Sequence, residues 1–506
     1  ASFLSIFILN GTAADWPSYG GDNGSSKYST LDQITAQNVD DLVVAWSWDS
    51  VDNETVAANI AGTNSTAVPG PYKATPIVVE GIMYIPTSFG RVVALDAQSG
   101  EARWVFDTRA WEAGRPANLG YNTRGVAYWE GSGKRRIFFA TNDSYLWALD
   151  AETGQVDSAF GDGGRVDLSQ GLGREINKRD YGVVSPVLVT NNKVIVNSIV
   201  NDAPASLETP PGHVRAFNPE TGALEWMFET IPQAGEFGNE TWEDGSWEYT
   251  GSTNAWTIMS ADDELGIAYI PIGTPTNDWY GGMRKGDNLF AESLVAVDVN
   301  TGERIWHFQM IHHGVWDYDL PAAPTLVDIT VDGRPIKAVA AISKQGFTYV
   351  FDRVTGEPVW PIEERAVPQS SVPNERLSPT QPFPTKPAAF EPQGISDETL
   401  IDFSPALRSE ALQNIEKFDY GRLFIPPTLR GTIQFPGWGG GGEWHGAAFD
   451  PETGLYYIPS ASASIVVQLI EARRGREEMG YVRGGARSVS GPQNLPLIKP
   501  PYGRIT

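Results

Sequence analysis

The segment 311–321, IHHGVWDYDLP, concentrates groups that can hold and move protons. It carries two of the five histidines, His312 and His313, with Trp316 and two carboxylates, Asp317 and Asp319. Downstream, an apolar run, AVAAISKQGFTYVFD, contains a lone lysine, Lys344. A carboxylate at the end of one strand and an ammonium at the start of another can face each other across a pocket. The carboxylate then accepts a proton, and the cation stabilises negative charge that develops nearby. The pair reads as a base and an electrophile serving a bound cofactor. Neighbouring histidines on a strand point to opposite faces, so joint metal binding is not expected of His312 and His313. One of them is expected to order the pocket and the other to pack, with His445 near the same opening. Asp319 has a competing reading as a turn cap before Leu320 and Pro321.

The elements that must position these groups form a repeat. An apolar pair, Asp or Asn, two or three residues, Gly and often Trp recur in ALDAQSGEARW, ALDAETGQVDSAF, AFNPETGALEW, AVDVNTGERIW and VFDRVTGEPVW, with a variant, AFDPETGLYYI. Asp96 and Trp104, Asn218 and Trp226, Asp298 and Trp306, and Asp352 and Trp360 share one spacing. Two strands joined by a turn explain it: the acid or amide caps the turn, and Gly takes the positive-φ position. Runs such as SPVLVTNNKVIVNS and ELGIAYIPIG supply further strand–turn–strand units. Successive copies lie 54, 68, 80, 54 and 98 residues apart, which suits four-stranded blades with insertions. The expected fold is all-β, an eight-bladed β-propeller with Trp docking between blades, spanning 15–506 with its last blade cut short. An irregular Pro-rich and partly helical insertion is expected at about 361–435. The glycine-rich 436–446 is either a flexible loop or a close backbone approach to something flat.

With 506 residues the chain exceeds one ordinary two-layer core. Its net charge of −25 disfavours nucleic acid as a partner. The absence of cysteine excludes disulfides, thiolate metal sites and a haem attached through CxxCH. Residues 1–14 read as the remnant of a secretory signal or the end of a membrane segment, which places the body outside the cytoplasm.

KYSTLDQITAQNVDDLVVAW (27–46), TRGVAYW (123–129), HHGVWDYDLP and SKQGFTYVFDRVTGEPVW resemble the pyrroloquinoline quinone (PQQ) dependent dehydrogenases over nearly the whole chain. HHxxWDxDxP, Lys344 and TPPGHVRAF make the membrane glucose and quinate dehydrogenase type the nearest in pattern. The resemblance implies PQQ and Ca²⁺ as cofactors. It implies Asp317 as general base, Lys344 as the cation at the reacting quinone oxygen, Arg124 as a cofactor-carboxylate ligand and Trp256 as the stacking platform. Asp202, and secondly Asn201, are the implied metal ligands. Trp444 and Glu443 sit where relatives often have Asn before Trp, and a carboxylate at 443 either repels the quinone or joins the metal. The implied activity is oxidation of a sugar, polyol or alcohol, with electrons passing to ubiquinone or a cytochrome, in the periplasm and in association with the inner membrane. A non-catalytic envelope scaffold is the alternative, but it has no use for Asp317, Lys344, Arg124 and Trp256 around one opening. A glycosidase would need a carboxylate opposing Asp317 and Asp319.

Overall fold

A computed structural model describes residues 15–61, 68–116, 118, 120–473 and 475–506. The apolar opening, 1–14, lies outside the described residues. Four four-stranded antiparallel sheets follow one another over 77–107, 127–167, 188–228 and 260–309. In the first, second and fourth, the strands pair in sequence order. The third has the same four-strand order, with a two-residue strand inserted after its second strand that pairs elsewhere. A three-stranded sheet over 325–352 follows, and then smaller sheets. This is a β-propeller; the total of eight blades is an expectation that these sheets do not count out.

The repeat does what its residues dictate. In the turn of the fourth sheet, Asp298 Oδ1 accepts from the amides of Asn300 and Thr301, and the Gly302 amide donates to the Asp298 carbonyl. Gly302 has φ 73°, which favours glycine. The same side-chain-capped turn recurs at Asp96, Asp150, Asp352 and Asp450, and with an amide oxygen as the cap at Asn218. Third strands such as Ser293–Asp298 are buried on both faces because a neighbouring sheet covers each. The outermost strand of the first sheet, Ala102–Asp107, alternates between more and less exposed positions.

Tryptophans join the sheets. The Trp104, Trp226 and Trp306 rings lie over Gly154, Gly302 and Gly356 of the next turn, so close that an added Cβ would meet the ring. Each indole N–H donates to a carbonyl of that turn: Ala151, Val299 and Arg353. The copy at 148–160 lacks the tryptophan, and its joint is built differently. There Arg136, nearly fully buried, donates to the carbonyls of Pro219 and Glu220, pairs with Asp157, and packs on Trp129 and Phe160.

The insertion contains a hairpin of Ile362–Ala366 and Thr380–Pro384 and a helix, Pro405–Ile415, capped by Ser404. Among the described residues, no helix is long and apolar enough to cross a membrane.

Candidate active site

Segments at the ends of strands from successive sheets converge on one cavity of about 620 Å³. Arg124 precedes the second sheet, Trp256 precedes the fourth, Asp317 follows it, and Lys344 follows the strand Arg334–Ile342. Glu443, Trp444 and Asp202 also line the cavity, as does His445. Asn201 is placed differently: its amide donates to Asp180 and its carbonyl oxygen accepts from Ala203, so Asp202 alone of the two proposed metal ligands faces the cavity.

The stretch 311–321 is irregular backbone, not the strand end expected of it. His313 and Asp317 take positive φ values of 49° and 56°. Such a conformation is costly for a side-chain-bearing residue and persists where the surroundings impose it. Here they do: Lys344 Nζ donates to both the Asp317 carbonyl and Asp317 Oδ1, each at 2.8 Å. The same ammonium donates to Asp319 Oδ2 at 3.1 Å. Asp319 also accepts from the Thr274 amide, so it is part of the cavity wall and not the turn cap weighed for it.

Two carboxylates therefore share one buried ammonium, leaving an excess negative charge. Burial drives the Asp317 carboxyl well above the usual carboxylate range, with Asp319 and Asp202 adding to the rise against Lys344. Burial opposes ionisation of Asp319 too, but Lys344 and the Thr274 amide outweigh it and hold Asp319 below its usual value. Asp317 is thus the stronger proton acceptor of the two, and Asp319 keeps the lysine charged.

The neighbouring part of the cavity is cationic and aromatic, and Lys344 Nζ lies 5.7 Å from the Trp256 ring centre. The Arg124 guanidinium lies 5.1 Å from the Trp256 ring centre and 5.4 Å from that of Trp444. Its Nη1 donates to Ser185, but its Nε and the Trp256 indole N–H are buried without a partner among the described residues. No carboxylate there forms an ion pair with Arg124, so the structural salt bridge that could have explained it is missing among the described residues. Burial pushes its pKa down to about 10. Burial also lowers Lys73, helped by Arg124, and raises Glu443 despite Lys344. A buried cation with unused donors beside two indoles suits a flat, polyanionic ligand.

Asp202 lines the same cavity. Asn118 donates to it at 2.8 Å, yet burial, and then Asp319, raise its pKa to about 7. Asp278 and Glu292 are likewise raised by burial first, Glu292 to about 8. Among the described residues, no three acidic or histidine side chains converge as a preformed metal cluster.

Neither member of the histidine pair is among the cavity's lining residues. His312 contacts Gln309 and Glu364, whereas buried His313 lies between the Gly286 carbonyl and Glu375. The sequence reading missed Lys73, Asp278, Glu292 and the cavity role of Asp319. For Asp319 the i, i+2 spacing from Asp317 was a signal; for Lys73 there was none, because no motif surrounds it.

The family model for the PQQ glucose/ethanol/alcohol dehydrogenase β-propeller domain matches residues 16–506. The chain is 31% identical to the glycerol dehydrogenase large subunit of Gluconobacter oxydans, over 98% of this chain and 69% of that protein. It is 30% identical to quinoprotein glucose dehydrogenase A of Acinetobacter calcoaceticus, over 97% of this chain and 62% of that protein. Among solved structures, the quinohemoprotein alcohol dehydrogenase of Comamonas testosteroni superposes with a TM-score of 0.69 at 25% identity, covering 98% of this chain and 65% of that one. The chain spans only part of the length of these relatives. Matched from its sixteenth residue to its last, and built as a propeller with one cavity where its blades' loops meet, it belongs to the PQQ-dependent glucose/ethanol/alcohol dehydrogenase family.

Proposed function

We propose that the chain oxidises a hydroxyl of a sugar or polyol, with Asp317 as base. The observation that carries this is the convergence of the Asp317–Lys344 pair with Arg124 and Trp256 in one cavity. The cavity's unused cationic donors fit a tricarboxylate such as PQQ: Arg124 and Lys73 would take carboxylates, and Trp256 and Trp444 would flank the ring. When bound, PQQ would supply the two-electron acceptor for the hydride that leaves the substrate carbon. Asp317 takes the hydroxyl proton of the same substrate, so the alcohol leaves as a carbonyl compound. Lys344 keeps Asp317 oriented through two hydrogen bonds and stands ready for charge that develops at the reactive edge. Excluding water strengthens both effects.

Asp202 is the residue that would hold Ca²⁺. Its raised pKa marks a carboxylate that lacks positive charge, and a divalent ion there would also draw Asp317 toward ionisation. We further propose that the protein works in the periplasm, associated with the inner membrane, and passes electrons to ubiquinone or a cytochrome; a relative named quinate/shikimate dehydrogenase (quinone) supports the quinone acceptor.

The test is reconstitution of the purified full-length protein with PQQ and Ca²⁺, followed by dye reduction with sugars, polyols and alcohols. Turnover with at least one class is expected. Cofactor bound without turnover of any of them would overturn the reading.

A further inference from the structure

A second aromatic–cation cluster lines the same cavity and has no part in the base or in the Arg124 wall. Arg483, on the strand Tyr481–Arg487, lays its guanidinium on the Trp279 ring at 3.9 Å from the centre, with Trp438 at 5.6 Å. All three line the cavity. Trp279 is buried, whereas Arg483 is half-exposed. Arg483 makes no hydrogen bond or ion pair with any of the described residues. It is felt across space by Asp202, but its five N–H donors are free for a ligand.

The strand is held where it is. Its hairpin with Ile465–Glu471 reaches across to the loop after Asp202, where the Glu478 amide donates to the Ala205 carbonyl and the Glu478 carboxylate accepts from the Leu207 amide. Asn277, next to Asp278 and Trp279, donates to the Tyr481 carbonyl at 3.4 Å. The guanidinium is therefore pinned by stacking and by its backbone, so little side-chain freedom is lost when it binds.

Stacking uses the face of a guanidinium and leaves its edge for a planar, bidentate acceptor, and the acceptor that matches that fork is a carboxylate. The Arg124, Trp256 and Trp444 cluster already suits the flat cofactor, and its rings are different from those that hold Arg483. We infer that Arg483, seated on Trp279 and Trp438, is a substrate-recognition residue that selects hydroxy acids, meaning polyols that carry a carboxylate, over neutral polyols. This deepens the proposed oxidation of hydroxyl groups and rests on it. The carboxylate docks at Arg483 while a hydroxyl of the same molecule reaches Asp317.

The experiment compares kcat/KM for gluconate, ribonate and glycerate with that for sorbitol, ribitol and glycerol, using the full chain loaded with PQQ and Ca²⁺. The wild type should favour the acids. Arg483→Met, which keeps the apolar stack, should lower the acid-to-neutral ratio by about 10- to 100-fold, the value of a charged hydrogen-bonded pair, mainly through KM. Arg483→Lys, which keeps the charge without the fork, should recover part of the ratio. PQQ titration by absorbance should give the same affinity in all three proteins. Turnover of the neutral compounds but not the acids by the wild type, or of sugars and simple alcohols alone, would overturn the inference while leaving the proposed dehydrogenase reading intact; turnover of no hydroxyl compound at all would remove both. An unchanged ratio in Arg483→Met would overturn the inference, and so would loss of PQQ binding, which would make Arg483 a cofactor ligand.

Discussion

The four regular sheets over 77–309 and the connecting loops that enclose the cavity follow opposite rules. In the sheets, the recurring polar groups are turn caps, and three of the joints between sheets are indoles on glycines, with the Arg136 joint as the exception. Around the cavity, carboxylates are buried near one another, Asp317 sits at positive φ, and a guanidinium keeps unpartnered donors. The contrast shows where this fold stores unfavourable electrostatics. Rigid sheets hold the ends of the loops, so that loops with poorly neutralised charge stay in place for a ligand to complete them.

Substitutions on the two sides should therefore separate activity from stability. Asp317→Asn should give the largest change: a loss of turnover of about 10²- to 10⁴-fold, as for removal of a general base, with PQQ affinity and urea midpoint nearly unchanged. Retained turnover would move the base elsewhere. Lys344→Met leaves Asp317 and Asp319 buried without their cation, and should cost about 3–5 kcal/mol in urea unfolding as well as activity. Trp306→Ala belongs to the other side. It should lower stability by about 3 kcal/mol while leaving KM and PQQ affinity near wild type; a changed KM would show that the sheets and the cavity are energetically coupled.

The pH dependence sharpens the contrast further. The carboxyls of Asp202 and Glu292 have folded pKa values raised to about 7 and about 8, above their unfolded values. Their contribution to stability is full below the unfolded values and is lost as pH rises through the folded ones. The melting temperature of the cofactor-free protein should fall between about pH 5 and pH 8.5. Glu292→Gln should flatten that fall, and added Ca²⁺ should do the same if Asp202 binds it; no flattening in either case would break the assignment. Activity has the opposite sign. Asp317 must be ionised to act as base, so kcat/KM should rise with pH through a titration above the usual carboxylate range. The smallest effect expected is that of Asp298→Ala, about 1 kcal/mol from loss of one turn cap.

This division also decides how much could be read from the chain. The propeller was legible because a turn acid, a positive-φ glycine and a tryptophan recur in order, and each has one local job. Asp317, Lys344, Arg124 and Trp256 were legible because they stand in family motifs. Asp319 was assigned to a local turn although its i, i+2 spacing from Asp317 hinted at a shared role, because the meeting of its oxygens with Lys344 and the Thr274 amide is set by the fold. Lys73, Asp278 and Arg483 reach the cavity from segments far apart in the chain, and no spacing records that. His312 and His313 do point different ways, but from irregular backbone fixed by Glu364 and Glu375, not from the alternation of a strand.

The joint built around Arg136 differs in kind from its neighbours. An indole on a glycine is indifferent to acid. A guanidinium held by Asp157 is not: burial opposes ionisation of that carboxyl, but Arg136 and Lys134 outweigh it and depress its pKa to about 2. Its support is present above the ordinary carboxylate value and disappears as pH falls toward 2. In strong acid Arg136 therefore loses its carboxylate while keeping its bonds to the Pro219 and Glu220 carbonyls, so the seam between the sheets over 127–167 and 188–228 should loosen without parting.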